Sequence, residues 1–269
     1  MHEEIRELFD LSGKVALIIG GARHLGLDAA SVLAAAGCRV ALTSREIKAA
    51  EETAARLTQA YEAETLPLAL DHVHAAHVEE AVRLTVSRFG RIDILINNAG
   101  GGTLHSGTAT LAERDPEDIR ALIELNLTGV LYCSRAVGSV MAEQGCGKII
   151  SIASVAGLVG RDRRVYERSR MVPSQVDYAA AKAGVIGMTR DLAGWLSPLG
   201  ICVNAISPGG FARDLPEQFV ADYSDRTPLG RMGRYGVDLK GAILFLASPA
   251  SDYVTGHNLV VDGGFSWWR

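Results

Sequence analysis

With 269 residues, 48% of them hydrophobic and 22% charged, the chain has the composition of an ordinary globular protein long enough to bury a substantial core. Its net charge of −4, with basic residues scattered along most of its length, leaves no electrostatic footprint for nucleic acid. The apolar runs Val15 to Ile19 and Ile92 to Ile96 fall far short of the roughly 20 residues of a membrane-spanning helix. The N-terminal Met1-His-Glu-Glu-Ile-Arg-Glu carries acids where a secretory signal carries bases and an apolar stretch, so a cytoplasmic location is expected. Cys38, Cys133, Cys146 and Cys202 are widely spaced without a CxxC pair, which fits reduced thiols rather than a disulfide framework or a zinc site.

In chain order, near-continuous apolar runs predict strands at 14–19, 38–43, 66–70, 92–96, 147–152, 201–206 and 258–261. Such runs belong to strands covered by helices on both faces. Segments rich in Ala, Leu, Glu and Arg between them predict helices at 26–36, 46–60, 76–88, 116–143, 176–196 and 236–247. No Pro/Gly/Ser linker interrupts the alternation, so residues 1–269 read as one domain of repeated βαβ units. The first strand runs into Gly20-Gly21-Ala22-Arg23-His24-Leu25-Gly26. Glycines there let the backbone approach a pyrophosphate, which the following helix N-terminus stabilises. That turn favours an α/β, Rossmann-type fold, an open doubly wound parallel seven-stranded sheet with helices on both faces, over an eight-stranded barrel.

Later in the chain, Tyr178 and Lys182 are four residues apart, which places both on one helical face. A phenol titrates near pH 10, so using its anion as a base at neutral pH requires about three units, or roughly 4 kcal/mol, of stabilisation. An ammonium about 4 Å away at an effective dielectric near 20 contributes about that amount.

The glycine turn, Asn97-Asn98-Ala99-Gly100 and Tyr178-Ala-Ala-Ala-Lys182 together resemble the short-chain dehydrogenase/reductase family, and the resemblance runs from about Lys14 to Val261-Asp262-Gly263-Gly264. It implies a nicotinamide-dependent oxidoreductase interconverting a secondary alcohol and a ketone. Tyr178 would transfer the proton, and Lys182 would hold the ribose and assist Tyr178. Ser154 would hydrogen-bond the substrate oxygen, and Asn126 would anchor a water of the proton relay. The cofactor would lie along Gly20, Arg23, His24, Leu25 and Gly26, then Ser44 and Arg45, Asp71 and His72 at the adenine, and Asn98, Ala99 and Gly100. Pro208 and Gly209 would face the nicotinamide, with Tyr178 and Lys182. Ile19 and His24 replace the family's threonine and middle glycine, and a side chain at residue 24 suits the turn only at negative φ. The family threonine beyond Pro208-Gly209 is replaced within Gly210-Phe211-Ala212-Arg213. Thr43-Ser44-Arg45 lacks the acid that reads a ribose diol, and Arg45 with Arg23 would pair with a 2′-phosphate. The expected cofactor is therefore NADP in preference to NAD.

Residues 158–176 form an insertion near the active site, with Arg161, Arg163, Arg164, Arg168 and Arg170 as candidate partners of an anionic substrate such as a sugar acid. A solvated or subunit-contacting loop is the alternative. Residues 208–264 resemble gluconate 5-dehydrogenase-like members of the family, and 210–232 read as a helix-poor substrate lid. His72, His74 and His77 lie where the adenine should sit, which argues against a metal site. Trp267 and Trp268 suggest a tail packed in a homotetramer interface. Two other readings stay open. One is a nucleotide-binding scaffold without turnover; the other is a lyase or epimerase that uses the cofactor without net consumption.

Overall fold

The computed structural model describes residues 2–102 and 111–267. Its seven strands are β1 Val15–Ile19, β2 Arg39–Ser44, β3 Thr65–Ala69, β4 Ile94–Asn97, β5 Gly147–Ile152, β6 Ile201–Pro208 and β7 Asn258–Val261. They form one sheet of order β3-β2-β1-β4-β5-β6-β7, with every neighbouring pair parallel. Each strand falls on an apolar run seen in the sequence. All five residues of β1 and all four of β4 are buried, because a parallel sheet covered on both faces has no polar side to offer.

The helices are α1 Glu3–Glu7, α2 His24–Ala35, α3 Ile47–Tyr61, α4 Ala75–Phe89, α5 Pro116–Ile123, α6 Gly129–Gln144, α7 Arg163–Arg168, α8 Val176–Leu196, α9 Glu217–Asp225 and α10 Lys240–Ala247. Side chains along β1 alternate between the two cores, as the pleat requires. Ala16 and Ile18 join Leu33 of α2, Leu57 of α3 and Ile243 of α10, whereas Val15, Leu17 and Ile19 join Val82 of α4 and Val137 and Met141 of α6.

Three segments differ from the sequence expectation. The helix expected over 116–143 is divided by a π-helical stretch, Glu124–Thr128, between α5 and α6. Asp115 starts α5 by accepting from Glu117 N at 2.8 Å, with Pro116 in the first turn where its missing N–H costs nothing. Nothing comparable marks the π stretch. The 210–232 segment, expected to be helix-poor, contains α9, held by burial of Phe219 beside Val165 and Met232. The segment over 158–176 likewise contains α7, N-capped by Asp162, whose side chain accepts from Arg164 N at 3.1 Å. Trp267 is 84% exposed, and Trp268 lies outside the described residues. Among the described residues no helix is long and apolar enough to cross a membrane.

Leu17 is fully buried between the sheet and α4 and α6. Leu17→Ala should lower unfolding stability by about 2–5 kcal/mol in urea titration, whereas a loss under about 1 kcal/mol would mean that the surrounding core collapses onto the site.

Candidate active site

The order of the sheet reverses between β1 and β4, and a crevice opens at their carboxyl ends, where ligands of open α/β sheets bind. Gly20 turns the chain there at φ 76°. Its N–H donates to Thr43 Oγ1 at 3.0 Å, and its carbonyl accepts from Asn98 Nδ2 at 2.8 Å. A Cβ on Gly20 would lie 2.9 Å from Ala99 Cα, and one on Gly26 would strike the Gly20 carbonyl and lie 2.5 Å from Asn98 Nδ2. The backbones meet because those side chains are missing.

The crevice encloses about 520 Å³. Of the residues expected along the cofactor, Gly20, Arg23, His24, Leu25, Ser44, Arg45, His72, Asn98, Ala99, Gly100, Tyr178, Lys182, Pro208 and Gly209 line it. Gly26 and Asp71 do not. Gly26 acts from beneath the turn, and the Asp71 side chain accepts from Val73 N at 3.4 Å in the connection to α4. The negative φ expected of His24 is not observed. It sits at φ 53°, a left-handed conformation that costs about 1–2 kcal/mol, with its ring 5.7 Å from Tyr235 and 2.6–2.7 Å from Arg213 Nη1. Burial first, and then the charges of Arg213 and Arg23, lower its pKa. His72 is turned inward to the Leu125 carbonyl at 2.9 Å, while His74 and His77 pack edge-on at the surface. The three rings therefore do not converge.

Two lining residues, Glu46 and Tyr235, were missed. Glu46 was legible beside Arg45 and pairs with Arg23 at 3.0 Å. Arg45 itself has no ion pair among the described residues. Tyr235 carried no sequence signal, since it reaches the crevice only through the fold.

Ser154 caps the short turn Val155–Gly157, its Oγ accepting from Ala156 N at 3.1 Å. That turn packs so closely on α8 that a Cβ on Gly157 would lie 2.6 Å from Ala183 N. Ser154, Tyr178 and Lys182 are thereby brought to one wall of the crevice. Burial raises the Tyr178 pKa, opposed by a hydrogen bond with Ser154 and by the charge of Arg161. Lys182 Nζ donates to Ile152 O at 2.8 Å and lies 5.7 Å from the Tyr178 ring centroid. Burial lowers its pKa to about 8. The expectation of an ammonium directly at the phenol is thus corrected: the Ile152 carbonyl competes for Nζ, and Arg161 is the cation acting on Tyr178. Asn126 is fully buried on the π-helical stretch. Its side chain accepts from Gly101 N and donates to Gly101 O, both at 2.9 Å, and donates to Leu122 O at 3.1 Å. A Cβ on Gly100 would lie 2.6 Å from Asn126 Oδ1 and 3.6 Å from Lys182 Nζ, so Asn126 stands just behind the crevice wall.

A second cavity of about 220 Å³ adjoins Ser154 and Tyr178, between α7, α9 and the loop after β6. Of the five arginines expected to face a substrate, Arg163 donates to Ser174 O, Arg164 to Asp162 and Arg168 to Asp222. Arg161 and, from outside that set, Arg226 line the cavity.

The fold and crevice define a nicotinamide-dependent oxidoreductase of the doubly wound class. The family model described as enoyl-(acyl carrier protein) reductase matches residues 20–266. A 3-oxoacyl-[acyl-carrier-protein] reductase of Synechocystis is 37% identical over 256 residues, 94% of this chain and 97% of the relative. A 2-dehydro-3-deoxy-D-gluconate 5-dehydrogenase of Dickeya dadantii is 38% identical over 269 residues, 97% of this chain and 98% of the relative. The crystal structure of a gluconate 5-dehydrogenase from Burkholderia cenocepacia with NADP and tartrate superposes with a TM-score of 0.86 at 35% identity, covering 97% of this chain and 98% of that one. The chain belongs to the short-chain dehydrogenase/reductase family, whose members here act on CH–OH groups.

The lowered Lys182 pKa has a stability signature. Between about pH 8 and the ordinary lysine value near 10.5 the unfolded chain binds more protons at this site than the folded one, so folding gains stability as pH rises through that window. Measured by urea unfolding, the wild type should gain on Lys182→Met by a few kcal/mol from pH 8 to 10; a constant difference would contradict the burial of a charged lysine.

Proposed function

We propose that the chain is an NADP-dependent reductase or dehydrogenase, interconverting a secondary alcohol and a ketone on a small anionic substrate. The observation that carries this reading is the convergence of Ser154, Tyr178 and Lys182 on the crevice behind the glycine turn. The residues fit the cofactor. The turn leaves a cradle that Cβ atoms would fill, and Arg45 stands at its rim without a carboxylate partner among the described residues, suited to a 2′-phosphate. Glu46, the acid nearest that position, is already paired with Arg23. Two relatives support the choice: the Burkholderia structure contains NADP, and a mannitol dehydrogenase of Hypocrea jecorina is described as NADP-dependent.

Bound nicotinamide supplies or accepts the hydride. Tyr178, kept protonated at neutral pH by burial, donates its phenolic proton to the substrate oxygen during reduction and recovers it during oxidation. The Ser154 hydroxyl holds that oxygen. Lys182 holds the ribose hydroxyls and draws its own position from Ile152 O. Asn126 fixes the Gly100-Gly101 backbone beside Lys182 and orders the water of the relay. Residues 158–176 and 210–232 cover the substrate as insertion and lid of a single domain. The protein works in the cytoplasm as a homotetramer, with the exposed Trp267 contributing to subunit contact. The dehydrogenase names of the relatives favour sustained turnover over a scaffold.

Fluorescence titration should show NADPH binding more tightly than NADH, and Arg45→Ala should weaken NADPH by about 10–100-fold, the worth of a charge-assisted contact, while barely affecting NADH. A wild type that prefers NADH would overturn the Arg45 argument. Tyr178→Phe should keep NADPH binding and lose roughly 10²–10⁴-fold in turnover followed by nicotinamide absorbance; retention of activity would remove Tyr178 from the proton path.

A further inference from the structure

We infer that Arg161 is the carboxylate anchor of the substrate site, and that the substrate is a compact oxo or hydroxy acid whose remaining body is apolar or aromatic. The inference rests on the reading above that the reacting carbonyl meets Ser154 and Tyr178. Arg161 lies where such an acid would need a cation. Its guanidinium carbon is 5.8 Å from the Tyr178 ring centroid, and it lines the second cavity together with Tyr178 and Ser154. Its hydrogen bond to Gln175 O is long, at 3.4 Å, and among the described residues no carboxylate pairs with it. Arg226, the other arginine of the cavity, is taken up by Asp162 at 2.9 Å and by the Asp222 carbonyl at 3.0 Å. One guanidinium fork therefore faces the cavity with donors to spare, the arrangement that matches a carboxylate bidentately.

The walls describe the rest of the ligand. Val165, Tyr166, Phe219, Tyr223, Met232 and Phe265 line the cavity. Tyr223 stacks on Phe265 at 4.4 Å, and Tyr166 meets Phe219 edge-on at 5.2 Å. The Tyr223 hydroxyl already accepts from Gly210 N at 2.6 Å. A polyhydroxylated chain pressed against these rings would leave hydroxyls without partners, whereas an aryl or branched alkyl group would be desolvated against them at a gain. The volume of about 220 Å³ lies below the roughly 300–1,000 Å³ of drug-sized ligand sites, which limits the body to about one ring.

The test measures reduction of benzoylformate, phenylpyruvate and benzoylpropionate, of their methyl esters, and of a ketogluconate, by wild type, Arg161→Lys and Arg161→Met, each first titrated with NADPH. At least one aryl acid should exceed its ester in kcat/KM by about 10–100-fold in the wild type. The ratio should fall to about one in Arg161→Met and stay intermediate in Arg161→Lys, with NADPH affinity unchanged in both. Should Arg161→Met not fold, Arg161→Gln carries the same comparison. Acids and esters turned over alike, a ratio unmoved by Arg161, or preference for the ketogluconate would each overturn the inference while leaving the oxidoreductase reading intact. A wild type that binds NADPH but reduces nothing in the panel, neutral esters included, would overturn both.

Discussion

The site depends on one close approach, that of the turn after β1 to the end of β4. The Asn98 side chain donates to the Gly20 carbonyl across it, and Gly20 and Gly26 leave the space in which the contact forms. Parallel pairing of β1 with β4 aligns Ile19 with Asn97, so the reversal of strand order delivers the phosphate turn and the Asn98-Ala99-Gly100 wall to the same crevice. The strands on either side bring the remaining groups: β2 ends at Ser44, β5 leads to Ser154, and β6 ends at Pro208. Sheet topology does the positioning, and the cost in backbone conformation falls on Gly20 and on His24.

Burial then sets the chemistry of the wall. It moves Tyr178 and Lys182 in opposite directions, raising the phenol and lowering the ammonium, so each is biased toward its neutral form. Lys182 is steadied by the Ile152 carbonyl, and the N-terminus of α8 by the buried pair of Asp177 with Arg114 at 2.6 Å. Such a pair contributes little net stability against the desolvation of its charges. Its geometric effect is larger, because it ties the residue preceding Tyr178 to the segment that leads into α5.

The sheet was legible because strands buried on both faces must be written as unbroken apolar runs, and the crevice because Gly20, Asn98, Ser154, Tyr178 and Lys182 carry chemistry at characteristic spacings. What escaped was set by partners distant in the chain. Nothing near Glu124–Thr128 marks a π-helical stretch, since its cause includes His72, more than fifty residues away, bonded to the Leu125 carbonyl. The arginines of 158–176 looked alike in sequence, and only the positions of Asp222, Ser174 and Asp162 separate those consumed by packing from Arg161. Helix α9 was hidden because its stabilising contact, Phe219 against Tyr166, is tertiary. The distance from Lys182 to Tyr178 could not follow from helical spacing, as it depends on where Ile152 ends its strand.

The π-helical stretch also makes chain length a constraint. A residue added to or removed from an α-helix rotates everything beyond it by about 100°, and a π turn absorbs one extra residue while keeping both flanks in register. Here the flanks are committed: Asp118 and Leu122 are buried on one side, and Val130, Cys133 and Val137 on the other. A deletion between Ile123 and Gly129 could be healed by reverting to α-helix, preserving the core and the fold. The healed helix would reclaim the Leu125 carbonyl that His72 now holds and turn Asn126 away from Gly101. The protein would fold as before with its proton relay dismantled, so single-residue indels in this stretch would separate foldability from catalysis in a way that substitutions of the same residues do not.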